Sequence, residues 1–212
     1  KDLSESQIKN GFLYTTLAVE KYSQEKYGVA IEYADSAIQL GQGGFALEIK
    51  GRSYFALNRF KDAAETLEES VVLTPGYLNN YILGVSYYKI SPTKNATRII
   101  DAMLAAQKFR ADTMSYYYLG RSYYEIENYE LSAAAFETLL TFQRSYEVFF
   151  SCGLAYYAIQ KYDKAVDKLQ AAYRIKDVDP VLLKAYVVSL IRTDRLEQGE
   201  KILKELIKLK KT

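Results

Sequence analysis

Four segments of the chain repeat the same short pattern at nearly even spacing. They are residues 51–57 (GRSYFAL), 84–90 (GVSYYKI), 120–126 (GRSYYEI) and 153–159 (GLAYYAI). The glycines that open these segments lie 33, 36 and 33 residues apart. Self-similarity with this period is typical of stacked helical hairpins, in which each hairpin buries its apolar face only against its neighbours. The repeat therefore predicts an array of helix pairs.

Other residue types recur at fixed offsets from these glycines. An aromatic residue follows each glycine by three positions, a small residue follows that aromatic by nine, and a larger apolar residue comes four later. The three sets are Tyr54, Tyr87, Tyr123 and Tyr156; Ala63, Ala96, Ser132 and Ala165; and Leu67, Ile100, Phe136 and Leu169. Spacings of three and four place side chains on one face of a helix, so the predicted fold class is all-α. Each glycine is expected to face the small residue where the two helices approach closely.

Glycine, tyrosine, alanine and a bulky residue at these offsets resemble the tetratricopeptide repeat, a helix-turn-helix unit of 34 residues. Two weaker copies, around Ala18 and around Val187, extend the resemblance towards both ends of the chain. The resemblance implies a right-handed α-solenoid of about six stacked antiparallel helix pairs. A single solenoid over residues 1–212 is expected, because no linker divides the chain. Its units are predicted at residues 11–43, 44–76, 77–112, 113–145, 146–179 and 180–212.

Capping residues and helix breakers predict several helix ends. Ser4 and Gln7 form a candidate capping box, and Asn95 is expected to cap a helix rather than to carry a glycan. Residues 41–44 (GQGG) and 74–76 (TPG) should stop helices, while the NRF, ENY and QKY tripeptides indicate tight turns within hairpins.

The third unit departs from the common pattern. Gly84 and Gly120 are separated by 36 residues, and Pro92 lies in the inner turn of this unit. Its second helix can also be aligned through Ala102 and Ala105. The register of that helix is therefore left open.

The charge balance and the scarcity of reactive side chains limit the possible functions. The chain has 28 Lys and Arg against 26 Asp and Glu, and a formal net charge of +2 gives no field strong enough to hold nucleic acid or an anionic membrane. It has no histidine and one cysteine, Cys152, which excludes a disulfide framework and a histidine-based metal site. Without a histidine base, Cys152 is expected to be a buried structural residue. We therefore expect no cofactor, no metal and no catalysis by this chain.

Membrane insertion is not expected either. The longest uncharged run, residues 70–88, contains the turn residues Pro75 and Gly76 and is not suited to crossing a bilayer. The chain starts at Lys1 without methionine, as expected either of a processed protein or of a chain trimmed from a longer sequence. The expected location is the bacterial periplasm or cell envelope after removal of a leader, with the cytoplasm as the alternative.

The resemblance also implies which residues line the concave surface, which the first helices of the hairpins form. They are the residues three before, one after and four after each glycine. The candidate partner-binding residues at these positions are Arg52, Phe55, Tyr81, Tyr88, Tyr117, Arg121, Tyr124, Phe150 and Tyr157, with Glu48, Val85 and Leu154 at further such positions. A groove of aromatic side chains with a few charges is suited to binding an apolar peptide or a helix of another protein.

Several alternatives stay open. The tyrosines can equally serve in packing between helices, and the groove or an end of the array can mediate homo-oligomer formation. An RNA-binding helical repeat is disfavoured, because such repeats need basic grooves. The resemblance does not imply a clamp for a terminal carboxylate, since the lysine and asparagine positions of that clamp carry mainly aromatic residues, glutamate and valine here.

Overall fold

The chain folds into twelve α-helices over residues 4–176 and 179–209, which are the residues that the computed structural model describes. Within these residues there is no β-strand. The predicted all-α solenoid fold of stacked helical hairpins is confirmed. In chain order the helices are α1 (Glu5–Ser23), α2 (Tyr27–Gln39), α3 (Gly43–Ala56), α4 (Phe60–Leu73), α5 (Tyr77–Ile90), α6 (Ala96–Gln107), α7 (Thr113–Glu125), α8 (Tyr129–Leu140), α9 (Tyr146–Ala158), α10 (Tyr162–Ile175), α11 (Pro180–Arg192) and α12 (Leu196–Leu209).

The helices are grouped in two compact units, Lys1–Ala111 and Asp112–Thr212, which we call the N-terminal unit and the C-terminal unit. Within each unit the two helices of a hairpin pack together, and the second helix of one hairpin packs on the first helix of the next. First helices of successive hairpins also touch, so they lie side by side. The organisation of residues 1–212 as a single solenoid stays a prediction.

Five of the six hairpin turns share one backbone feature. Each contains one non-glycine residue in the left-handed conformation, with φ from 56° to 60°: Glu25, Asn58, Glu127, Gln160 and Asp194. The next amide donates a hydrogen bond to the carbonyl five positions earlier, as from Asn128 to Tyr123 at 2.9 Å. This bond is typical of a Schellman ending, which stops the first helix of the pair. The tight turns predicted at NRF, ENY and QKY are confirmed.

The third hairpin has a longer turn of a different kind. Ser91, which follows α5, is extended with φ −168°. Because the extra residues lie in this turn, they shift the register of α6. A Cβ placed on Gly84 would lie 2.6 Å from Met103 and 3.2 Å from the Cβ of Ala102. Met103 therefore occupies the place of the bulky residue, and Ala102, through which the alternative alignment ran, faces Gly84. The alignment through Ile100 is wrong.

One of the two predicted caps is confirmed and the other is wrong. Ser4 and Gln7 form the expected capping box, in which the Ser4 amide donates a 2.9 Å hydrogen bond to the Gln7 side chain. Asn95 lies at the N-cap position of α6, but its side chain makes no capping bond. Instead its amide nitrogen donates to the carbonyl of Tyr87 at 3.2 Å. This side chain therefore ties the long turn to α5.

The core of the C-terminal unit lies between the first and second helices of its hairpins. Its fully buried side chains include Phe136, Cys152, Leu169 and Leu182. Burial raises the pKa of the Cys152 thiol to about 12. The predicted burial of this cysteine is confirmed, and a thiol with so high a pKa is a poor nucleophile.

Candidate partner-binding surface

The nine predicted site residues lie on the first helices of their hairpins, and we call the side of each unit that carries them its first-helix face. Each of the nine is half-buried. Val85, which was expected to line the groove as well, is 5% exposed and belongs to the core, so that expectation is wrong. On the N-terminal unit the face carries Arg52, Phe55, Tyr81 and Tyr88, and on the C-terminal unit it carries Tyr117, Arg121, Tyr124, Phe150 and Tyr157.

The aromatic residues four positions after the glycine pack edge-to-face within their own hairpins. The partner ring is the first residue of the second helix. The ring centroids lie 5.0 to 6.1 Å apart in the pairs Tyr22–Tyr27, Phe55–Phe60, Tyr124–Tyr129 and Tyr157–Tyr162. Such pairs contribute roughly 0.5–1.5 kcal/mol beyond the burial of area. Packing therefore fixes each ring while part of its surface stays exposed.

A second set of aromatic pairs lies one turn apart on the first helices. Tyr81 stacks on Tyr77, and Phe150 stacks on Tyr146, both with centroids 5.6 Å apart. The hydroxyl of Tyr146 donates a 2.8 Å hydrogen bond to Asp179, the N-cap residue of α11. Phe150 is therefore packed against a ring that the next hairpin holds in place.

Arg52 has partners within its own unit. Its guanidinium donates to the carboxylate of Glu48 at 3.1 Å and lies 4.8 Å from the ring centroid of Tyr22 on α1. The buried amide of Asn79, on α5, donates to the other oxygen of Glu48 at 3.1 Å. The charge of Arg52 is thus balanced by a network that joins α1, α3 and α5.

A pocket of about 190 Å³ opens on the first-helix face of the C-terminal unit. It is lined by residues of α7 and α9, and the fully buried ring of Phe136 from α8 is part of the lining. Three predicted site residues meet here. The full lining is Arg121, Tyr124, Glu125, Phe136, Phe150, Ser151 and Leu154.

Arg121 occupies the same repeat position as Arg52 but has different surroundings. The position of Glu48, three before the glycine, is taken by Tyr117 in this repeat. Within the part of the chain that the structure describes, Arg121 makes no ion pair and no hydrogen bond. Glu125 lines the same pocket. The pocket therefore combines largely apolar walls with a guanidinium that makes no ion pair within the described residues.

The tyrosine of this pocket is uncharged at neutral pH. Burial raises the pKa of Tyr124, and neighbouring Tyr129 and Glu125 raise it further, while Arg121 partly offsets them. Tyr124 can therefore offer a ring face and a neutral hydroxyl to a partner, but not a charge.

Two of the tyrosines that follow a repeat glycine by three positions connect neighbouring hairpins. The hydroxyl of Tyr156 donates a 3.0 Å hydrogen bond to Glu137, and Lys168 lies 2.9 Å from the same carboxylate. The hydroxyl of Tyr87 donates to Glu68 in the N-terminal unit. Burial and these carboxylates raise the pKa of both tyrosines. Neither carboxylate was predicted from the sequence, although each precedes its tyrosine by the same 19 residues.

Residues 4–176 and 179–209 contain no group of three or more histidine, cysteine, aspartate or glutamate side chains that could hold a metal ion. None of the helices described there is both long enough and apolar enough to span a membrane.

Stacked hairpins, four of them with a glycine where their two helices cross, define a helical-hairpin repeat protein. The family model of the tetratricopeptide repeat matches residues 15–77 and 117–180. The chain belongs to the tetratricopeptide-repeat family. A search of the curated proteins gives no match.

Several solved structures are similar to this chain in fold. YrrB, described as "a TPR protein with an unusual peptide-binding site", is 18% identical with a TM-score of 0.70 over 81% of this chain and 89% of its own. MamA is 22% identical with a TM-score of 0.65 over 80% of this chain and 93% of its own. The C-terminal part of a TPR repeat-containing protein from Cytophaga hutchinsonii is 16% identical with a TM-score of 0.63, over 92% and 78%. At these identities the similarity shows the fold alone.

Proposed function

We propose that this protein is a non-enzymatic scaffold whose first-helix face binds a peptide or a helix of a partner protein. Membership of the tetratricopeptide-repeat family supports a protein-interaction scaffold in general terms. The observation that carries the finer proposal is the pocket of the C-terminal unit, where the half-buried residues Arg121, Tyr124 and Phe150 meet above Phe136.

The aromatic rings of this pocket are well suited to contact a partner because their positions are fixed in advance. Tyr124 packs edge-to-face on Tyr129, and Phe150 stacks on Tyr146. Side chains that are already ordered lose little conformational entropy when a partner binds. Tyrosine and arginine are also enriched among the residues that contribute most to binding at protein interfaces.

The charge of the chain and one structural similarity favour a peptide ligand. A net charge of +2 provides little attraction for a polyanion, and Arg52 is already paired with Glu48. YrrB, which shares the fold, is described as having a peptide-binding site. A peptide or helix with apolar side chains is therefore the ligand that we propose.

Selection of peptides from a phage-displayed random library on the purified chain tests this function. The selected peptide is then titrated by calorimetry against the wild type, Tyr124→Ala and Phe150→Ala. Loss of an anchoring aromatic ring should weaken binding by roughly thirtyfold, about 2 kcal/mol. Phe142→Ala is the matched control, because Phe142 is 67% exposed and does not line the pocket. Failure to select any peptide, or equal weakening by the control, would contradict the proposal.

Self-association is a second candidate function, favoured by the outer face of α12. Leu203 and Ile207 are 39% and 46% exposed, whereas Leu169, at the position corresponding to Leu203 in α10, is fully buried. A second copy that covers this stripe would raise the apparent mass with concentration in sedimentation experiments. Leu203→Glu should abolish that rise, and a concentration-independent monomer mass for the wild type would exclude this function.

A further inference from the structure

We infer that the pocket beside Arg121 selects a partner segment in which an Asp or Glu side chain lies within one helical turn of a large apolar side chain. The inference rests on the proposed function, since it specifies the chemistry of the segment that the first-helix face binds.

The N-terminal unit shows how an arginine at this repeat position is accommodated. The side chains of Arg52 and Glu48 are 20% and 15% exposed, and their charged groups lie 3.1 Å apart. The guanidinium also lies over the ring of Tyr22. A charge that is largely removed from water needs a compensating charge or hydrogen bonds, because its lost hydration is costly. In this unit Glu48 and Tyr22 supply that compensation.

The C-terminal unit has the arginine without this compensation. Tyr117 replaces the glutamate, and half-buried Arg121 makes neither an ion pair nor a hydrogen bond with the residues that the structure describes. A carboxylate from a partner placed beside Arg121 would take the role that Glu48 has for Arg52. An apolar side chain next to that carboxylate would contact Phe150 and Leu154 above the ring of Phe136.

The lining residues also limit how many acidic groups of the partner the pocket can accept, and whether the carboxylate belongs to a side chain or to a chain terminus. Glu125 is part of the lining, so a run of several acidic residues is disfavoured by repulsion. Arg121 is the one cationic residue among the lining residues. A chain-terminal carboxylate, which brings further hydrogen-bonding demands, fits this lone guanidinium less well than a single Asp or Glu side chain does.

The test compares peptide pools selected from the same phage-displayed library on the wild type, Arg121→Gln and Arg121→Glu. The wild-type pool should be enriched in an acidic residue near Phe, Leu or Tyr. That enrichment should disappear with Arg121→Gln and be replaced by lysine with Arg121→Glu. One wild-type peptide is then synthesised with acetylated and amidated ends, with its acidic residue as Glu or as Gln. The wild type should prefer the Glu form by roughly tenfold, as expected for a charge-assisted hydrogen bond.

Controls separate the failure of this inference from the failure of the proposed function. Arg192→Gln removes an exposed arginine of the same unit that does not line the pocket, and it should leave the preference unchanged. Thermal melts verify that each variant is folded. If peptides bind and Phe150→Ala weakens them, but the Glu and Gln forms bind equally, the inference is wrong and the proposed function stands. Dependence on a free C-terminal carboxylate would also overturn it. If no peptide binds, both fail.

Discussion

The hydroxyl of Ser132 donates a 2.8 Å hydrogen bond to the main-chain carbonyl of Gly120, and both residues are buried. This bond joins α7 to α8 where the two helices come closest. A Cβ placed on Gly120 would lie 2.8 Å from the ring of Phe136. The predicted meeting of Gly120 and Ser132 is therefore confirmed, and the crossing depends on a polar contact as well as on the absence of a side chain.

Enlarging the glycine at this crossing should destabilise the protein. Gly120→Leu forces a side chain against the buried ring of Phe136, and overpacking of this kind costs roughly 1–3 kcal/mol. Gly28→Ala is the matched control, because a Cβ at Gly28 in α2 has no neighbour within 4 Å. That change should be neutral or stabilising by up to about 1 kcal/mol, since alanine favours helices. Urea unfolding measures the free energy of unfolding of both variants. A change of the same sign in the two variants would contradict the placement of Gly120 at a close helix crossing.

Removing the hydroxyl at the crossing should cost a hydrogen bond. Ser132→Ala should lower the free energy of unfolding by about 1 kcal/mol or somewhat more, because the Gly120 carbonyl loses its side-chain partner. Ser122 is the control, since its hydroxyl is equally buried and has no hydrogen-bond partner within the described structure. Ser122→Ala should be neutral or stabilising. Chemical denaturation compares the two variants. If Ser122→Ala lowers the free energy of unfolding more than Ser132→Ala does, the predicted importance of the Ser132 hydrogen bond is wrong.

A glycine at the left-handed position of a hairpin turn should stabilise the chain. Glu127 has φ 60°, a conformation that costs a residue with a Cβ roughly 1–2 kcal/mol. Because glycine also loses more entropy on folding, we expect Glu127→Gly to raise stability by about 0.5–1 kcal/mol. Glu130→Gly, in the first turn of α8, should instead lower stability by up to about 1 kcal/mol. Thermal melts of both variants check this, and a lower Tm for Glu127→Gly would argue against strain at the turn.

Tyrosines three positions after a repeat glycine should contribute more to stability than tyrosines four positions after it. Tyr156 is 6% exposed and bonded to Glu137, so Tyr156→Ala should cost about 3 kcal/mol. Tyr124 and Tyr157 are half-buried, and alanine at either position should cost clearly less. Calorimetric melts of the three variants provide the comparison. Equal losses would indicate that the aromatic residues of the first-helix face serve in packing.

Low pH should reduce the stability that Asp179 provides as the N-cap residue of α11. Burial acts to raise the pKa of Asp179, but the hydrogen bonds from Tyr146, Leu182 and Val181, together with nearby Lys176, outweigh it and lower the pKa. Because the folded pKa lies below the unfolded value of about 3.9, the stabilisation is present above about pH 4 and is lost as the pH falls through the folded pKa.

Asp179→Ala should therefore lower stability by about 1 kcal/mol at neutral pH, as expected for loss of an N-cap. The difference from the wild type should narrow in acid, which urea unfolding over a series of pH values can measure. A difference that persists unchanged into strong acid would contradict the shifted pKa.

The sequence alone predicted the features that depend on contacts within one hairpin. The offsets from glycine indicated the helix pairs, the tight turns and the meeting of Gly120 with Ser132, because these residues are close in the chain and the same geometry recurs in each repeat. The register of α6 could not be predicted, because the turn around Pro92 takes up the extra residues and brings Met103 to Gly84.

Contacts between hairpins were decided by the tertiary structure. Arg52 and Arg121 follow the same glycine position, and their sequence context gave them the same predicted role. Arg52 is compensated because side chains from α1 and α5 converge on it and on Glu48. Arg121 instead lies beside a pocket and lacks an ion pair within the described residues. The repeat pattern determines the position of each side chain on its helix. Whether the charge of that side chain is neutralised depends on groups from neighbouring hairpins. These groups are distant in sequence, and only folding brings them together.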